Sequence, residues 1–414
     1  MSVTAASTMP EALRGIKVID VDTHLTEPPD LWTAQVPAPS KDRVPYVKRT
    51  GAVDQWFYKD TPIGFGGGAA ITVIGQNREK YRGTVTLDTY EQVDESTFDA
   101  KARLKIMDDL NVWAQVVFPN VAGFGSGSVA RAIPEEDRNL CIRLYNDAVA
   151  QWASVANGRL RPQALVPFWD IREAAKEVER AHARGLRGVT ATSAPEGWGY
   201  GLPDYGDLAW DPFWEACSAY DMPISFHIAS GPMPDGIGPW KSFGFDPAQM
   251  FQGSAATRGT RQMAPIAVSA TVGTLLNSRV MINIIYSGLL DRWPKLKFLS
   301  IESGLGWIPF FLELAEYQFD EMTYSDRWGL KRRPREYFRD HFYVSWWFED
   351  FGPTKAIEEV GVKNVLFETD FPHPTCLYPD PVAHAAKVLA HLPYADRKAI
   401  LQDNAAELWQ IPAN

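Results

Sequence analysis

The chain has 414 residues, 45% of them hydrophobic and 22% charged, which suits one large globular domain rather than a small core. Its 51 acidic and 41 basic residues give a formal charge of -10 with no basic run, setting aside nucleic acid and anionic membrane surfaces as partners. Three widely spaced cysteines, Cys141, Cys217 and Cys376, set aside a disulfide framework and a thiolate zinc site. The first residues hold no basic segment leading into an apolar one, and no later apolar run reaches membrane-spanning length, so a cytoplasmic location is expected. The 15 Trp, 15 Tyr and 21 Phe residues suit a pocket or a subunit interface.

After a leader over residues 1–15, Lys17 to Asp22 reads as a buried strand and runs into a loop at Glu27-Pro28-Pro29. Residues 33–95 are irregular, with Gly64-Phe65-Gly66-Gly67-Gly68 between apolar stretches, and read as an inserted, hairpin-rich excursion. Regular alternation then begins. Helices are expected over 96–110, 135–157, 171–184, 211–220, 263–276, 280–290, 307–319, 353–360, 381–392 and 395–408. Strands are expected between them over 113–118, 163–167, 188–192, 223–228, 297–302, 342–348 and 365–370. With the first strand this makes about eight strand–helix units, the number that closes a parallel (β/α)8 TIM barrel. Residues 16–412 therefore read as a single α/β barrel domain, although alternation alone also fits an open parallel sheet.

In such a barrel the chemistry gathers at the carboxyl ends of the strands. Residues two apart on a strand share a face, so Asp20, Asp22 and His24 are expected together, with Ile19 and Val21 turned to the helical shell. The same parity pairs Ser225 with His227, Ser300 with Glu302, and Glu368 with Asp370. Alone, His227 reads as a hydrogen-bonded core histidine and Asp370 as a turn residue. Together, carboxylates and imidazoles converging on one rim would repel one another without a cation, and a divalent metal is the simplest resolution. Asp20 and Glu368 lie deeper and suit the orientation of ligands. His373, held between two prolines, can reach the rim, whereas His341 belongs at the opposite mouth and His182, His384 and His391 on helix surfaces. Trp346 and Trp347 point to opposite faces, so one of them lines the barrel; Trp346, Asn120 and Trp169 are the substrate-lining candidates, with Trp307 also near the mouth.

The run Ile19-Asp20-Val21-Asp22-Thr23-His24 resembles the first-strand signature of the amidohydrolase superfamily, where the pair is usually His-x-His. Ser287-Gly288-Leu289-Leu290-Asp291-Arg292-Trp293-Pro294, leading into Ile301-Glu302-Ser303-Gly304, is similar to the amidohydrolase-related (family 2) group. That group includes aminocarboxymuconate-semialdehyde decarboxylase and the resorcylate decarboxylases. Thr369-Asp370-Phe371-Pro372-His373 and Leu401-Gln402-Asp403-Asn404-Ala405-Ala406 fit the same group, so the resemblance spans nearly the whole chain.

The resemblance implies a distorted eight-stranded barrel in which Asp22, His24, His227 and Asp370 bind one or two divalent ions, zinc, manganese or iron. Asp22 in place of the first histidine makes the site harder and favours manganese or iron. Glu302 stands where decarboxylases of the group usually place a histidine, and the fourth strand has no lysine to bridge two ions. Four functions follow for a small-molecule enzyme. Hydrolysis would use a metal-activated water with Asp370 or Glu302 as base and His227 in the site. Non-oxidative decarboxylation or hydration is the second. A mono- or dinuclear oxygenase, with Glu302 bridging and His373 adding a ligand, is the third. The fourth is a non-catalytic partner subunit. A homodimer, or a heteromer with a paralogue, is the expected assembly.

Overall fold

The computed structural model describes residues 8–63, 70–232, 267–268, 270–322 and 329–413. The glycine run at 64–68, most of the segment 229–261 and part of the expected helix 263–276 lie outside these residues. Among the described residues the parallel strands follow chain order. They are β1 (Val18–His24), β2 (Val112–Phe118), β3 (Leu160–Pro162, continued as Ala164–Leu165), β4 (Val189–Thr190), β5 (Ile224–His227), β6 (Phe298–Ile301), β7 (Phe342–Trp346) and β8 (Val365–Phe367). Hydrogen bonding forms two arcs, β1–β2–β3 and β3–β8. Gln163 joins them at β3, where its N–H donates to Val117 while the Ala164 N–H donates to Gly188. The other seam closes beyond β8, where the His24 N–H donates to Phe371 O at 2.7 Å and the Asp370 N–H to Asp22 O at 2.9 Å. The fold is the distorted (β/α)8 barrel.

The helices around it include α1 (Ala100–Asp109), α2 (Glu135–Ala153), α3 (Ile171–Ala183), α4 (Asp211–Ala219), α5 (Asn277–Tyr286), α6 (Ile308–Met322), α7 (Pro334–His341), α8 (Ile357–Val360), α9 (Pro381–Val388) and α10 (Asn404–Trp409), with shorter turns of helix at Gly127–Ala132, Leu289–Arg292 and Tyr394–Lys398. Local chemistry sets several starts. The Asp99 carboxylate accepts the Ala102 N–H ahead of α1, and Asp170 accepts the Arg172 and Glu173 N–H groups ahead of α3. Pro212 and Pro381 sit in the first turns of α4 and α9, where an N–H has no helical partner to lose. The region 280–290 is two helices rather than one, because Gly288 at φ 72° ends the run before Leu289–Arg292. Among the described residues no helix is long and apolar enough to cross a membrane.

Between β1 and α1 the chain forms small antiparallel pairings: Tyr46–Thr50 with Val53–Tyr58 and Thr61–Pro62, Ala70–Ile71 with Thr86–Leu87, and Ile74–Gly75 with Glu79–Lys80. This layer is tied to the mouth of the barrel, where the Val73 N–H donates to Pro372 O at 3.0 Å and Asn120 Nδ2 to Ile71 O at 2.9 Å.

Two cores separate interior from shell. Val18, Ile224, Phe226, Phe298, Phe342, Val344, Trp346 and Phe367 pack with the helices. Ile19, Val21, Ala114, Val116, Phe118, Leu299, Ile301 and Leu366 form a second cluster with Trp409. It joins β1 to β6, strands that are not neighbours in the ring and meet only across the interior. Ile19 and Val21 thus face inward, correcting their expected position against the helices. The register slip between Asp20 and Thr23 breaks the alternation on which that expectation rested.

Candidate metal centre

Three different backbone devices bring the polar groups together. His227 ends β5, whose alternation is regular: Phe226 packs in the shell, while Ser225 faces Gln163 with their oxygens 3.5 Å apart. Asp22 and His24 follow the irregularity in β1. Asp20 does not join them, correcting the expected three-residue face; its carboxylate takes the Thr369 N–H at 2.8 Å, the Thr369 hydroxyl at 2.6 Å and Gln115 Nε2 at 3.3 Å. The third device is a left-handed residue just beyond a strand. Ser300 takes Asn277 Nδ2 of α5 at 3.0 Å and so belongs to the shell, and strict parity would send Glu302 after it. Glu302 instead has φ 54° and turns its carboxylate to the centre. Asp370 has φ 60° at the end of β8. Such non-glycine conformations cost on the order of 1–3 kcal/mol each, which the surrounding hydrogen bonds must offset.

The resulting contacts are close. Asp22 Oδ1 lies 3.4 Å from Nε2 of both His24 and His227. His24 Nε2 is 3.4 Å from Asp370 Oδ1, and His227 Nε2 is 3.4 Å from Glu302 Oε2. The two imidazole Nε2 atoms face each other at 3.3 Å. Each ring's other nitrogen meets a carbonyl, His24 Nδ1 with Pro119 O at 3.2 Å and His227 Nδ1 with Ile228 O at 2.8 Å. A carbonyl accepts only, so each Nδ1 carries the proton and each neutral ring presents its Nε2 lone pair to the other. Burial lowers both rings' affinity for a second proton, pushing His227 to about 4 and His24 well below its usual value. Neither ring therefore has a proton to place between the two facing lone pairs. Among the described residues, both Asp22 oxygens and Asp370 Oδ1 also lack a hydrogen-bond donor. A cation supplies what every one of these atoms lacks, and the imidazole and carboxylate donors suit a divalent ion.

The carboxylates feel the same crowding. Burial first, then the Asp370 and Asp20 charges, raise Asp22 well above the carboxylate range. Burial with Asp370, Asp22 and Glu368 does the same to Glu302. Glu368 sits beneath the centre, its Oε2 taking the Glu302 N–H at 3.1 Å. Donor atoms converge within 4.8 Å in three overlapping sets, Asp22–His24–His227, His24–Asp370–His373 and Asp22–Glu302–Asp370.

His373 stacks on His24, with ring centroids 3.6 Å apart, and its Nδ1 is 2.9 Å from Asp370 Oδ1. Asn120 gives its Nδ2 to Ile71 O, so its Oδ1, 3.2 Å from His373 Nε2, requires a proton on that nitrogen. His373 can therefore reach an ion only through Nδ1. Trp169 lies apart from this cluster, donating to Asn139 Oδ1 at 2.9 Å under the Arg138 guanidinium. Trp346 is wholly buried in the shell against Phe367 and His384, which corrects its expected place in the pocket. His384, expected at a helix surface, is half-buried there for the same reason. Trp347 lies just beyond β7, and its buried indole N–H has no hydrogen-bond partner among the described residues. Trp307 donates to Ser303 O at 2.9 Å. His341 bonds Leu296 O at 2.9 Å, ahead of β6 and β7 at the far mouth.

Sequence reasoning missed Phe124, whose ring stacks on His227 at 3.9 Å, and Thr375, whose hydroxyl donates to Asp370 Oδ2 at 2.5 Å. The signal for Phe124 was its flanking glycines. Gly123 and Gly125 have φ 83° and 59°, and a Cβ on Gly125 would lie 2.4 Å from the Thr192 nitrogen. Only glycine lets this loop press against the end of β4.

The sequence profile of the amidohydrolase family matches residues 19–411. The γ-resorcylate decarboxylase of Polaromonas sp. is 26% identical over 319 residues, covering 75% of this chain and 86% of that protein. Among solved structures, an amidohydrolase of Mycobacterium avium subsp. paratuberculosis superposes with a TM-score of 0.70 at 20% identity, covering 95% of this chain and 98% of its own. A dihydroxybenzoic acid decarboxylase of Polaromonas sp., solved with manganese and the inhibitor 2-nitroresorcinol, has a TM-score of 0.60 at 19% identity, covering 95% of this chain and 97% of its own.

Proposed function

The chain belongs to the amidohydrolase family, and from that premise we propose that it is a metal-dependent carboxy-lyase removing carbon dioxide from a small aromatic acid without an oxidant. The observation that carries the metal centre is the pair of imidazole Nε2 atoms facing each other at 3.3 Å with both Nδ1 protons committed to carbonyls. Asp22, His24, His227 and Asp370 would hold the ion, with Glu302 facing it. Manganese is favoured by the carboxylate-rich donors and by the manganese in the similar Polaromonas enzyme. The reaction class is supported by the curated relative's activity on γ-resorcylate.

When bound, the ion would anchor the carboxylate and a neighbouring hydroxyl of the substrate and draw electron density from them. Glu302 is the group placed to hold and deliver a proton. Its side chain is 12% exposed where Asp22, His24, His227 and Asp370 are sealed, so it fronts the mouth. In the reaction the Glu302 carboxyl proton goes to the ring carbon that bears the carboxylate. The bond to the carboxylate carbon then breaks, its electron pair restores the ring, and carbon dioxide leaves. Glu302 takes a fresh proton from solvent, and the hydroxide left there combines with the released carbon dioxide as bicarbonate. Phe124, stacked on His227, would shape an apolar wall for the ring and exclude water.

We read residues 16–412 as one catalytic domain carrying the excursion at 33–95, working in the cytoplasm as a homodimer or with a paralogue. A second reading is favoured by one observation. If all six side chains in the three overlapping donor sets bound one six-coordinate ion, no position would remain for substrate, so a dinuclear iron or manganese centre reacting with dioxygen is the alternative. Incubating manganese-loaded protein with γ-resorcylate and related dihydroxybenzoates, while recording carbon dioxide and dissolved oxygen, separates the two. Carbon dioxide release at constant oxygen is expected. Oxygen consumption coupled to turnover would replace the carboxy-lyase by the oxygenase.

A further inference from the structure

Glu27 lies outside the donor cluster, three residues beyond His24, yet it is wholly buried. Its Oε1 takes three consecutive backbone N–H groups, Asn120 at 2.8 Å, Val121 at 2.9 Å and Ala122 at 3.3 Å. No lysine or arginine pairs with it among the described residues; its salt-bridge role is taken by peptide dipoles, a concave anion site made from one turn. Burying a carboxylate for the sake of a surface turn would be a poor exchange, because Oε2, without a partner among the described residues, keeps its desolvation cost. The turn it grips is not an ordinary one. Pro119, immediately before it, supplies the carbonyl that fixes the proton of His24 on Nδ1 and aims Nε2 at the centre. Asn120, its first residue, fixes the proton of His373 on Nε2 and leaves Nδ1 against Asp370. Two residues past the grip, Phe124 stacks on His227.

We propose that Glu27 is a positioning residue for the metal centre, acting through the 119–122 turn to set the tautomer and orientation of His24 and the contact of His373 with Asp370. It touches neither ion nor substrate. The logic is that of a partner one bond removed from a ligand, whose loss lowers metal affinity without removing a donor. The inference rests on the metal-centre reading of the preceding subsection.

The test compares the wild-type chain with Glu27→Gln, which keeps the side-chain length but offers a neutral, weaker acceptor to the three N–H groups. Metal-free protein is melted to check folding, then titrated with manganese, and cobalt-substituted protein gives the visible spectrum of the ligand field. A folded variant with a ten- to hundred-fold weaker manganese affinity and an altered cobalt spectrum is expected. A folded variant with wild-type affinity and an unchanged spectrum would overturn the proposal. Should Glu27→Gln not fold, Glu27→Asp is measured in the same way, since it keeps the charge but withdraws it from the turn; the same two outcomes decide. Wild-type protein that takes up no manganese or cobalt would remove the metal reading and this inference with it, whereas wild-type uptake matched by the variant removes this inference alone.

Discussion

The two ends of the barrel are built to opposite specifications. At the amino-terminal end, Trp409 of α10 is wholly buried among Ile19, Val21, Leu299 and Leu366, and its indole N–H reaches Gln163 Oε1 at 3.4 Å. At the carboxyl-terminal end, Asp22, Asp370 and Glu368 keep buried oxygens without donors among the described residues, and two left-handed residues carry carboxylates into the space they share. Apolar contact stabilises the first end, while the second stores unsatisfied charge. In a parallel barrel this division lets one end hold the fold while the other is free to vary its chemistry.

The division predicts different consequences for damage at each end. Asp370→Asn should lower turnover by on the order of 10³-fold and sharply weaken metal binding, since a neutral amide replaces a charged ligand. Full metal content in that variant would remove Asp370 from the centre. At the other end, Trp409→Ala should cost about 3–5 kcal/mol in denaturant unfolding, with metal per folded chain unchanged. Equal loss of metal and stability would show that the ends are not independent.

A smaller effect concerns pH. Burial raises Asp20, Glu27 and Glu349 each to about 7 in the folded, metal-free chain. Below the ordinary carboxylate range all three are protonated in folded and unfolded states alike. Between that range and about 7 the folded chain binds more protons, so stability falls as pH rises through this window and levels off above it. Melting of the metal-free protein across this range should show that decline. A rise with pH instead would mean these carboxylates are better paired than burial indicates.

How far the sequence could be read follows from the backbone. Strand–helix alternation is carried by the spacing of apolar residues, so the barrel and its order were legible. His227 was placed by parity because β5 is regular over Ile224–His227. Parity failed where the chain departs from a strand, at the slip between Asp20 and Thr23 and at Glu302, whose positive φ is an outcome of packing rather than of residue type; it held for Glu368 and Asp370, which both face the centre. The choice of Trp346 over Trp347 rested on the same alternation without knowing which face was inward. Phe124, which stacks on His227, was marked only by the glycines on either side of it, while Thr375 on Asp370 and Glu27 on the 120–122 turn act through contacts that no local pattern announces.

The most direct test of the account is the divalent metal content of the purified wild-type chain, measured by elemental analysis after loading with manganese and removal of free ion. The account predicts at least one tightly held ion per chain, lost when Asp22 is replaced by Ala. A folded chain that retains no divalent metal after loading would contradict it.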